Sequence, residues 1–326
     1  MRNFTFKGLL LTAVFMLLGC LSIQAANDDL ITKQITIKLD KAGTLPNKIA
    51  SSEMYKITNL KIIGEINGTD WNMIREMAGR DNRGYDTEGK LSVLDLSEAK
   101  IVKGGDSYYP GDNCYTSNDE IGEKAFTDCS RLTSLTLPVG ITSIGYDAFA
   151  YCSGLTSLTL PAGITSIGEY AFSRCSGLTS LTLPAGITSI DKYAFSGCSR
   201  LTSLTLPAGI TSIGEFAFSY CSGLTSIYVY AEKVPRIGRY AFEGCASRKC
   251  TLYVPKGTYD NYRLSEFGYF ENIVEFDATG IDKTTTSTDV EEVSRYSLNG
   301  QRLVGPTKGL NIVKYSDGSV KKVAVE

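Results

Sequence analysis

Apolar residues recur along the middle of the chain with a fixed period. The recurring aromatic residue is phenylalanine, at Phe126, Phe149, Phe172, Phe195, Phe218 and Phe242. A cysteine follows each of them three positions later, at Cys129, Cys152, Cys175, Cys198, Cys221 and Cys245. The period of about 23 residues lies in the range of leucine-rich repeats, about 20–29 residues. We therefore predict a repeat solenoid of six units of about 23–24 residues over residues 121–255.

Each copy contains one short alternating segment. In Leu155–Leu160 apolar and hydroxyl residues alternate over the last positions. This alternation predicts a half-buried strand, and Pro161 ends it by removing a backbone donor. Gly168–Phe172 predicts a turn that returns Phe172 to the core. Because one coil cannot bury its apolar residues alone, the coils must stack. The expected fold is a right-handed leucine-rich-repeat coil with a parallel β-sheet, capped at both ends.

Residues 27–120 predict an N-terminal cap with divergent repeats. Ile57–Ile62 and Leu91–Leu96 have the pattern of irregular coils. A helix is expected between them, with Thr69 at its start and Gly79 at its end.

Downstream, Thr251–Pro255 predicts the last strand of the solenoid, and residues 256–276 predict a C-terminal cap. Thr258 is expected to start a short helix there, and an open coil end would otherwise expose apolar surface and strand edges. The aromatic residues expected to cover the final coil are Tyr259, Tyr262 and Phe267.

The composition changes after residue 276. Residues 277–290 are rich in threonine and predict a linker, and residues 291–326 predict a small β C-terminal module. Asn299-Gly300 and Asp317-Gly318 lie between apolar segments, which is the strongest short signal for a β-hairpin.

The N-terminus has the pattern of a signal peptide over residues 1–25. Arg2 and Lys7 precede the uncharged stretch 8–19, which is too short to span a bilayer comfortably. Two processing routes are open: cleavage near Ala25, or lipidation of Cys20 in a lipobox-like Leu-Leu-Gly-Cys. We expect export to the cell surface, outer membrane or extracellular space, and no transmembrane helix in the mature chain.

Composition and charge exclude several classes of function. The net charge is −2, so the protein has no overall positive field that would attract nucleic acid. The chain also has no histidine. Histidine-dependent catalysis and most transition-metal sites are thereby excluded, and no catalytic motif is found. We expect no enzyme activity, no cofactor and no metal. The repeat cysteines predict a buried, reduced ladder. A disulfide between Cys245 and Cys250 is the one pairing that we keep as an alternative.

Two surfaces are candidates for binding a partner. Positions that vary between copies are not required by the coil, and they include aromatic residues that suit recognition or packing. This candidate binding ridge is Tyr170, Tyr193, Phe216 and Tyr240, with Tyr151, Arg174 and Tyr220 beside it. The second candidate is the outward strand face, which suits a glycan or plain solvent exposure. Its residues are Ser157, Thr159, Ser180, Thr182, Ser203 and Thr205.

The repeat resembles that of the BspA-like family of bacterial surface leucine-rich-repeat proteins. The pattern that carries the resemblance is Ile-Gly-x-x-Ala-Phe-x-x-Cys-x-x-Leu-x-x-Leu-x-Leu-Pro across residues 121–255. The resemblance implies adhesion to a host or bacterial surface protein, with a glycan as another partner. A structural spacer or display protein without a specific ligand is the alternative. The tail is similar to type IX secretion sorting domains through Leu-Asn-Gly-Gln-Arg-Leu and Lys-Gly-Leu-Asn-Ile-Val, and a plain β end cap is its alternative.

Overall fold

The computed structural model describes residues 29–109, 111, 113–278, 292–297, 302–303, 309–315 and 320–325. The signal-peptide prediction, Cys20 and most of the threonine-rich segment lie outside these residues. The strands are β1 (Ile35–Lys38), β2 (Asn59–Ile66), β3 (Val93–Ile101), β4 (Gly104–Tyr109), β5 (Cys114–Thr116), β6 (Glu120–Ile121), β7 (Ser134–Thr136), β8 (Ser143–Ile144), β9 (Ser157–Thr159), β10 (Ser166–Ile167), β11 (Ser180–Thr182), β12 (Ser189–Ile190), β13 (Ser203–Leu206), β14 (Ser212–Ile213), β15 (Ser226–Val229), β16 (Arg236–Ile237), β17 (Thr251–Pro255), β18 (Asn272–Phe276), β19 (Glu292–Ser297), β20 (Arg302–Leu303), β21 (Gly309–Tyr315) and β22 (Val320–Val325).

One strand from each coil joins a parallel sheet, as the repeat predicted. The sheet runs in the order β1-β2-β3-β7-β9 and continues as β11-β13-β15-β17-β18. Equivalent residues pair across coils, so that Leu181 lies opposite Leu204 and Leu204 opposite Ile227. Between β9 and β11 the sheet is interrupted, and a 3.4 Å backbone bond from Thr179 N–H to the Thr156 carbonyl bridges the gap.

A second set of short strands follows the first in each coil. These strands pair in parallel in the orders β10-β8-β6 and β12-β14-β16. The chain is therefore a parallel β-solenoid with little helix, which confirms the predicted fold class.

Backbone hydrogen bonds also join the coils on the turn side. Phe149 N–H donates to the Ala171 carbonyl at 2.7 Å, and Phe172 N–H donates to the Ala194 carbonyl at the same distance. These bonds continue past the interruption of the main sheet. Each repeat coil is thus held to the next by a bond in the turn, and strand pairing adds to it everywhere except between the coils of β9 and β11.

The core is a set of columns along the solenoid. The six repeat phenylalanines stack with ring centroids 4.9–5.5 Å apart, and all are buried. Trp71 continues this column at one end, and Phe267 and Phe270 continue it at the other. Burying each phenylalanine contributes roughly 1.5–3 kcal/mol. The coil interfaces therefore carry most of the stability.

The N-terminal region contains a 3₁₀ turn (Leu45–Asn47) and helix α1 (Gly68–Met77). The expected helix start at Thr69 is wrong. Asn67 is the N-cap, because its side-chain oxygen accepts from Thr69 N–H while the Asp70 carboxylate accepts from Asn67 N–H. Gly79 lies just beyond the helix end with φ +100°, as predicted. The antiparallel pair β4–β5 in this region had no signal in the sequence.

The C-terminal end of the solenoid has one more strand than predicted. Residues 251–255 form β17, but β18 pairs with it in parallel and extends the sheet. Helix α2 (Tyr259–Arg263) and a 3₁₀ turn (Glu266–Tyr269) lie between these strands. Tyr262 and Phe267 are buried there as expected, whereas Tyr259 is exposed and does not cover the final coil.

A charged residue ends the inward apolar column at β18. Glu275 lies opposite Val254, and its carboxylate accepts from the N–H groups of Gly257 and Tyr259 at 2.9 Å. Glu275 is exposed, and a charge on an edge strand disfavours pairing with a further strand.

The C-terminal residues form an antiparallel sheet of their own, in the order β20-β19-β21-β22. The pairs β19–β20 and β21–β22 are the two hairpins that Asn299-Gly300 and Asp317-Gly318 predicted. The turn residues lie outside the described part of the chain. Arg295 is buried in this sheet and donates to the Asn311 side chain at 3.2 Å.

Candidate functional site

The repeat cysteines form a structural ladder. Eight cysteines are described, all are buried, and none of them forms a disulfide, Cys245 and Cys250 included. The thiol of Cys175 donates to the Phe149 carbonyl at 3.1 Å. Its counterparts Cys152, Cys198, Cys221 and Cys245 make the same contact with the coil before theirs.

Burial keeps the thiols of Cys129 and Cys175 protonated. It raises the pKa of the Cys129 thiol to about 11 and the pKa of the Cys175 thiol well above its usual range. The thiolate is the form that attacks disulfides and binds metals, so burial lowers the reactivity of these two thiols.

The binding-ridge residues adopt a left-handed backbone. Tyr170, Tyr193, Phe216 and Tyr240 have φ of 55–59°. This conformation costs a non-glycine residue roughly 1–2 kcal/mol. Lys124 and Asp147, at the same position of the preceding coils, have φ of 55° and 53°, so the turn adopts this backbone whichever side chain it carries.

The rings of the binding ridge stack on one another. The Tyr170 and Tyr193 rings lie 4.7 Å apart and the Tyr193 and Phe216 rings 4.8 Å apart, both nearly parallel. These three side chains are half-buried, whereas Tyr240 at the end of the row is 60% exposed. The first three ridge residues therefore pack against each other, and Tyr240 stacks on Phe216 at 5.1 Å while more than half of its surface stays exposed.

The neighbouring variable column is also left-handed and more exposed. Tyr151 and Tyr220 are 48% and 59% exposed, and the Arg174 guanidinium lies 5.5 Å from the Tyr151 ring centroid. A Cβ at Gly244 would lie 2.8 Å from Cδ1 of Tyr220. The glycine thus leaves room for the Tyr220 ring, which brings an exposed aromatic next to the coil that carries Tyr240.

The outward hydroxyl residues fall into two groups that the sequence does not distinguish. Thr156, Thr179, Thr202 and Thr225 each donate a side-chain hydrogen bond to a backbone carbonyl of the preceding coil, at 3.0–3.3 Å. The predicted strand face is different: its hydroxyls have no partner among the described residues. Ser157, Thr159, Ser180 and Thr182 are exposed, and Ser203 and Thr205 are half-buried.

An aromatic cluster at the C-terminal end of this face was not predicted from the sequence. Tyr228 occupies the threonine column opposite Thr205, and its ring stacks on Tyr253 at 4.4 Å. Phe276 makes edge contacts with Tyr228 and Tyr230 at 6.0 and 5.1 Å. We call Tyr228, Tyr230, Tyr253 and Phe276 the aromatic step. Its sequence signal is the replacement of threonine by tyrosine at position 228 within the repeat.

Stacked coils, a parallel sheet and repeating inward leucines define a leucine-rich-repeat solenoid. The model of the BspA type leucine rich repeat region matches residues 119–249 in six copies. This confirms the resemblance stated from the repeat pattern. No curated protein matches the chain.

Several solved structures are similar to this chain. The leucine-rich-repeat protein TpLRR of T. pallidum is 29% identical; the match covers 46% of this chain and 73% of that protein, with a TM-score of 0.39. A leucine-rich cell surface protein of Faecalibacterium prausnitzii A2-165 is 23% identical over 67% of this chain, with a TM-score of 0.34. The match spans 51% of that protein. The pneumococcal vaccine antigen PcpA is 16% identical over 75% of this chain and 66% of its own, with a TM-score of 0.38.

In the described part of the chain, none of the helices has the length and apolar character that a bilayer span requires. The same residues contain no cluster of three or more potential metal ligands.

Proposed function

We propose that this protein is an exported adhesion module that binds a surface protein through the exposed side chains on its turn side. The contact residues are Tyr220 and Tyr240, with Tyr151 and Arg174 along the same edge. Leucine-rich repeats of this family are associated with protein binding and adhesion in general.

The observation that carries this proposal is the exposure of tyrosines on a rigid, strained turn. Tyr220 and Tyr240 have φ of 57° and 59°. Their coils are fixed by the backbone bonds from Tyr220 N–H to Glu243 and from Phe218 N–H to Ala241. Tyrosine and arginine are enriched among interface residues that dominate affinity. Because these side chains lose little freedom on binding, a pre-ordered edge of this kind favours protein recognition.

The test is adhesion to a panel of immobilised extracellular-matrix proteins and intact bacterial cells. The double variant Tyr220→Ser/Tyr240→Ser is expected to bind its panel partner about 30-fold more weakly if each hot spot contributes ~1 kcal/mol or more. Its melting temperature should stay near that of the parent protein.

The matched control is Tyr85→Ser/Tyr115→Ser, which removes two exposed tyrosines from the N-terminal region. Equal binding by both double variants and the parent would contradict the turn-side site. A parent protein that binds no member of the panel would favour the structural spacer instead.

Export is the second part of the proposal. It rests on the charged and apolar pattern of residues 1–25 and on the hairpin-rich tail, which resembles a sorting domain. Mass spectrometry of the mature N-terminus from the fractionated native bacterium tests it, and it distinguishes cleavage near Ala25 from a lipid on Cys20. A cytosolic protein that retains Met1 would contradict export.

A further inference from the structure

The size of the outward-facing side chains changes abruptly between β13 and β15. Thr205 and Tyr228 are direct neighbours in the sheet, and Tyr253 is the next residue in the same column. One face of the Tyr228 ring is covered by Tyr253, to which it is parallel within 5°. The other face is turned toward Thr205, whose short side chain cannot cover it as a stacked ring would.

Phe276 supports the other rings of the aromatic step. Phe276 contacts the Tyr228 and Tyr230 rings at nearly right angles, 87° and 83°. It reaches them across the strand that ends in Pro255, which is the register partner of Phe276. Since the rings support each other, the open face of Tyr228 needs little ordering when a ligand binds.

The outward side chains on the two strands beside this ring carry hydroxyl groups. Ser180, Thr182, Ser203 and Thr205 face outward on β11 and β13, and none of these hydroxyls is engaged by another described residue. A hydroxyl can donate one hydrogen bond and accept two. The pairs repeat at the inter-strand spacing of about 4.8 Å, which gives a regular array of donors and acceptors.

The face is also uncharged. In the main sheet, the outward positions of the described strands β7, β9, β11, β13, β15, β17 and β18 carry no acidic or basic residue, and Glu275 of β18 lies in the inward column. A phosphate, sulfate or carboxylate ligand would find no cation on these strands. A protein partner is disfavoured as well, because serine is depleted from protein interfaces.

We propose that this face binds a neutral oligosaccharide, with one sugar ring on the open face of Tyr228 and its hydroxyl groups on Thr205, Ser203, Thr182 and Ser180. The polarised C–H groups on one side of a pyranose match the negative face of an aromatic ring. The hydroxyl groups around the edge of the sugar match the uncharged serine and threonine hydroxyls on β11 and β13. This site is separate from the turn-side site proposed above.

The experiment is calorimetric titration of the purified protein with neutral hexasaccharides of glucose, mannose and xylose in α and β linkages. Heparin and sialyllactose serve as charged probes. We expect at least one neutral hexasaccharide to bind and neither charged probe to do so. Thr205→Tyr should weaken this binding about tenfold or more, because it covers the open face of Tyr228 with another stacked ring.

Thr205→Tyr extends an existing aromatic column, so the fold should be retained. Tyr228→Ala should weaken binding to a similar extent, and Tyr85→Ala, at an exposed tyrosine elsewhere, should have no effect. Unchanged binding by a folded Thr205→Tyr variant, binding of the charged probes alone, or no binding of any neutral hexasaccharide would each overturn the proposal. The Tyr220→Ser/Tyr240→Ser variant should still bind the sugar, which separates this result from the protein-binding test.

Discussion

The indole Nε1 of Trp71 donates a 2.9 Å hydrogen bond to the carbonyl of Ala125. In every later coil the equivalent alanine carbonyl accepts from a phenylalanine N–H of the coil before it, as Ala148 does from Phe126 at 2.7 Å. The first coil has no such predecessor, so a side chain of helix α1 replaces the missing backbone donor. Arg75 adds a second bond to the same carbonyl at 3.0 Å.

The same replacement occurs slightly earlier in the turn. Tyr108 Oη donates to the Glu123 carbonyl at 2.8 Å, where the next coil uses a backbone donor, Lys124 N–H to the Tyr146 carbonyl. The N-terminal cap thus satisfies the open end of the solenoid with side-chain donors as well as covering its apolar surface.

Tyr108→Phe should therefore destabilise the protein by about 0.5–1.5 kcal/mol, because it removes the part-buried hydrogen bond to the Glu123 carbonyl and changes the volume little. Urea unfolding measures the change. The control is Tyr85→Phe, which removes a hydroxyl from a side chain that is 68% exposed. This control should change stability by less than ~0.5 kcal/mol. Equal stability of the two variants would show that the bond to Glu123 is dispensable.

Cys175→Ala should destabilise the protein, because it leaves a small cavity and removes the thiol contact with the Phe149 carbonyl. The free energy of unfolding should fall by about 1–2 kcal/mol. Chemical unfolding under reducing conditions is the measurement, with the exposed Ser157→Ala as control. Intact mass should show no bridges along Cys129 to Cys221. Bridged cysteines or stoichiometric zinc in the native protein would contradict the packing role.

Stability should fall as the pH rises above about 8.5, the ordinary pKa of cysteine in an unfolded chain. Burial raises the pKa of Cys129 in the folded state to about 11. The folded state therefore holds its proton over an interval in which the unfolded state loses it. The loss should approach ~1.4 kcal/mol per pH unit for each cysteine whose folded-state pKa is raised, such as Cys129. Unfolding midpoints from neutral to alkaline pH measure it, and Cys129→Ala should give a shallower slope. A flat profile would mean that the thiols do not control alkaline stability.

The double variant Tyr170→Ser/Tyr193→Ser tests the packed part of the ridge. It removes the stacked pairs that these rings form with each other and with Phe216. The loss of these aromatic pairs should cost roughly 1–3 kcal/mol. Thermal unfolding shows the change, with Tyr220→Ser as the exposed comparison. An unchanged melting temperature would show that the stacked rings do not stabilise the fold.

The repeat determined the fold because every coil has the same environment. Phe172 and Cys175 recur at a fixed period, and a residue repeated at the coil spacing can be buried only in a column along the solenoid. The inward leucines, the parallel register and the buried, unbridged cysteines follow from that symmetry. The two C-terminal hairpins were predictable for a different reason, since Asn-Gly and Asp-Gly specify a turn locally.

Only the tertiary structure decided what happens where the symmetry ends. Trp71 reaches Ala125 across 54 residues, and Tyr228, Tyr253 and Phe276 meet because three strands are adjacent in the sheet. The Thr179 hydroxyl donates a hydrogen bond to a backbone carbonyl, whereas the Thr182 hydroxyl has no partner among the described residues. This difference likewise depends on geometry that residue type does not specify. A periodic sequence determines neighbours related by the repeat, whereas contacts between residues that occur once depend on how the chain brings its ends and edges together.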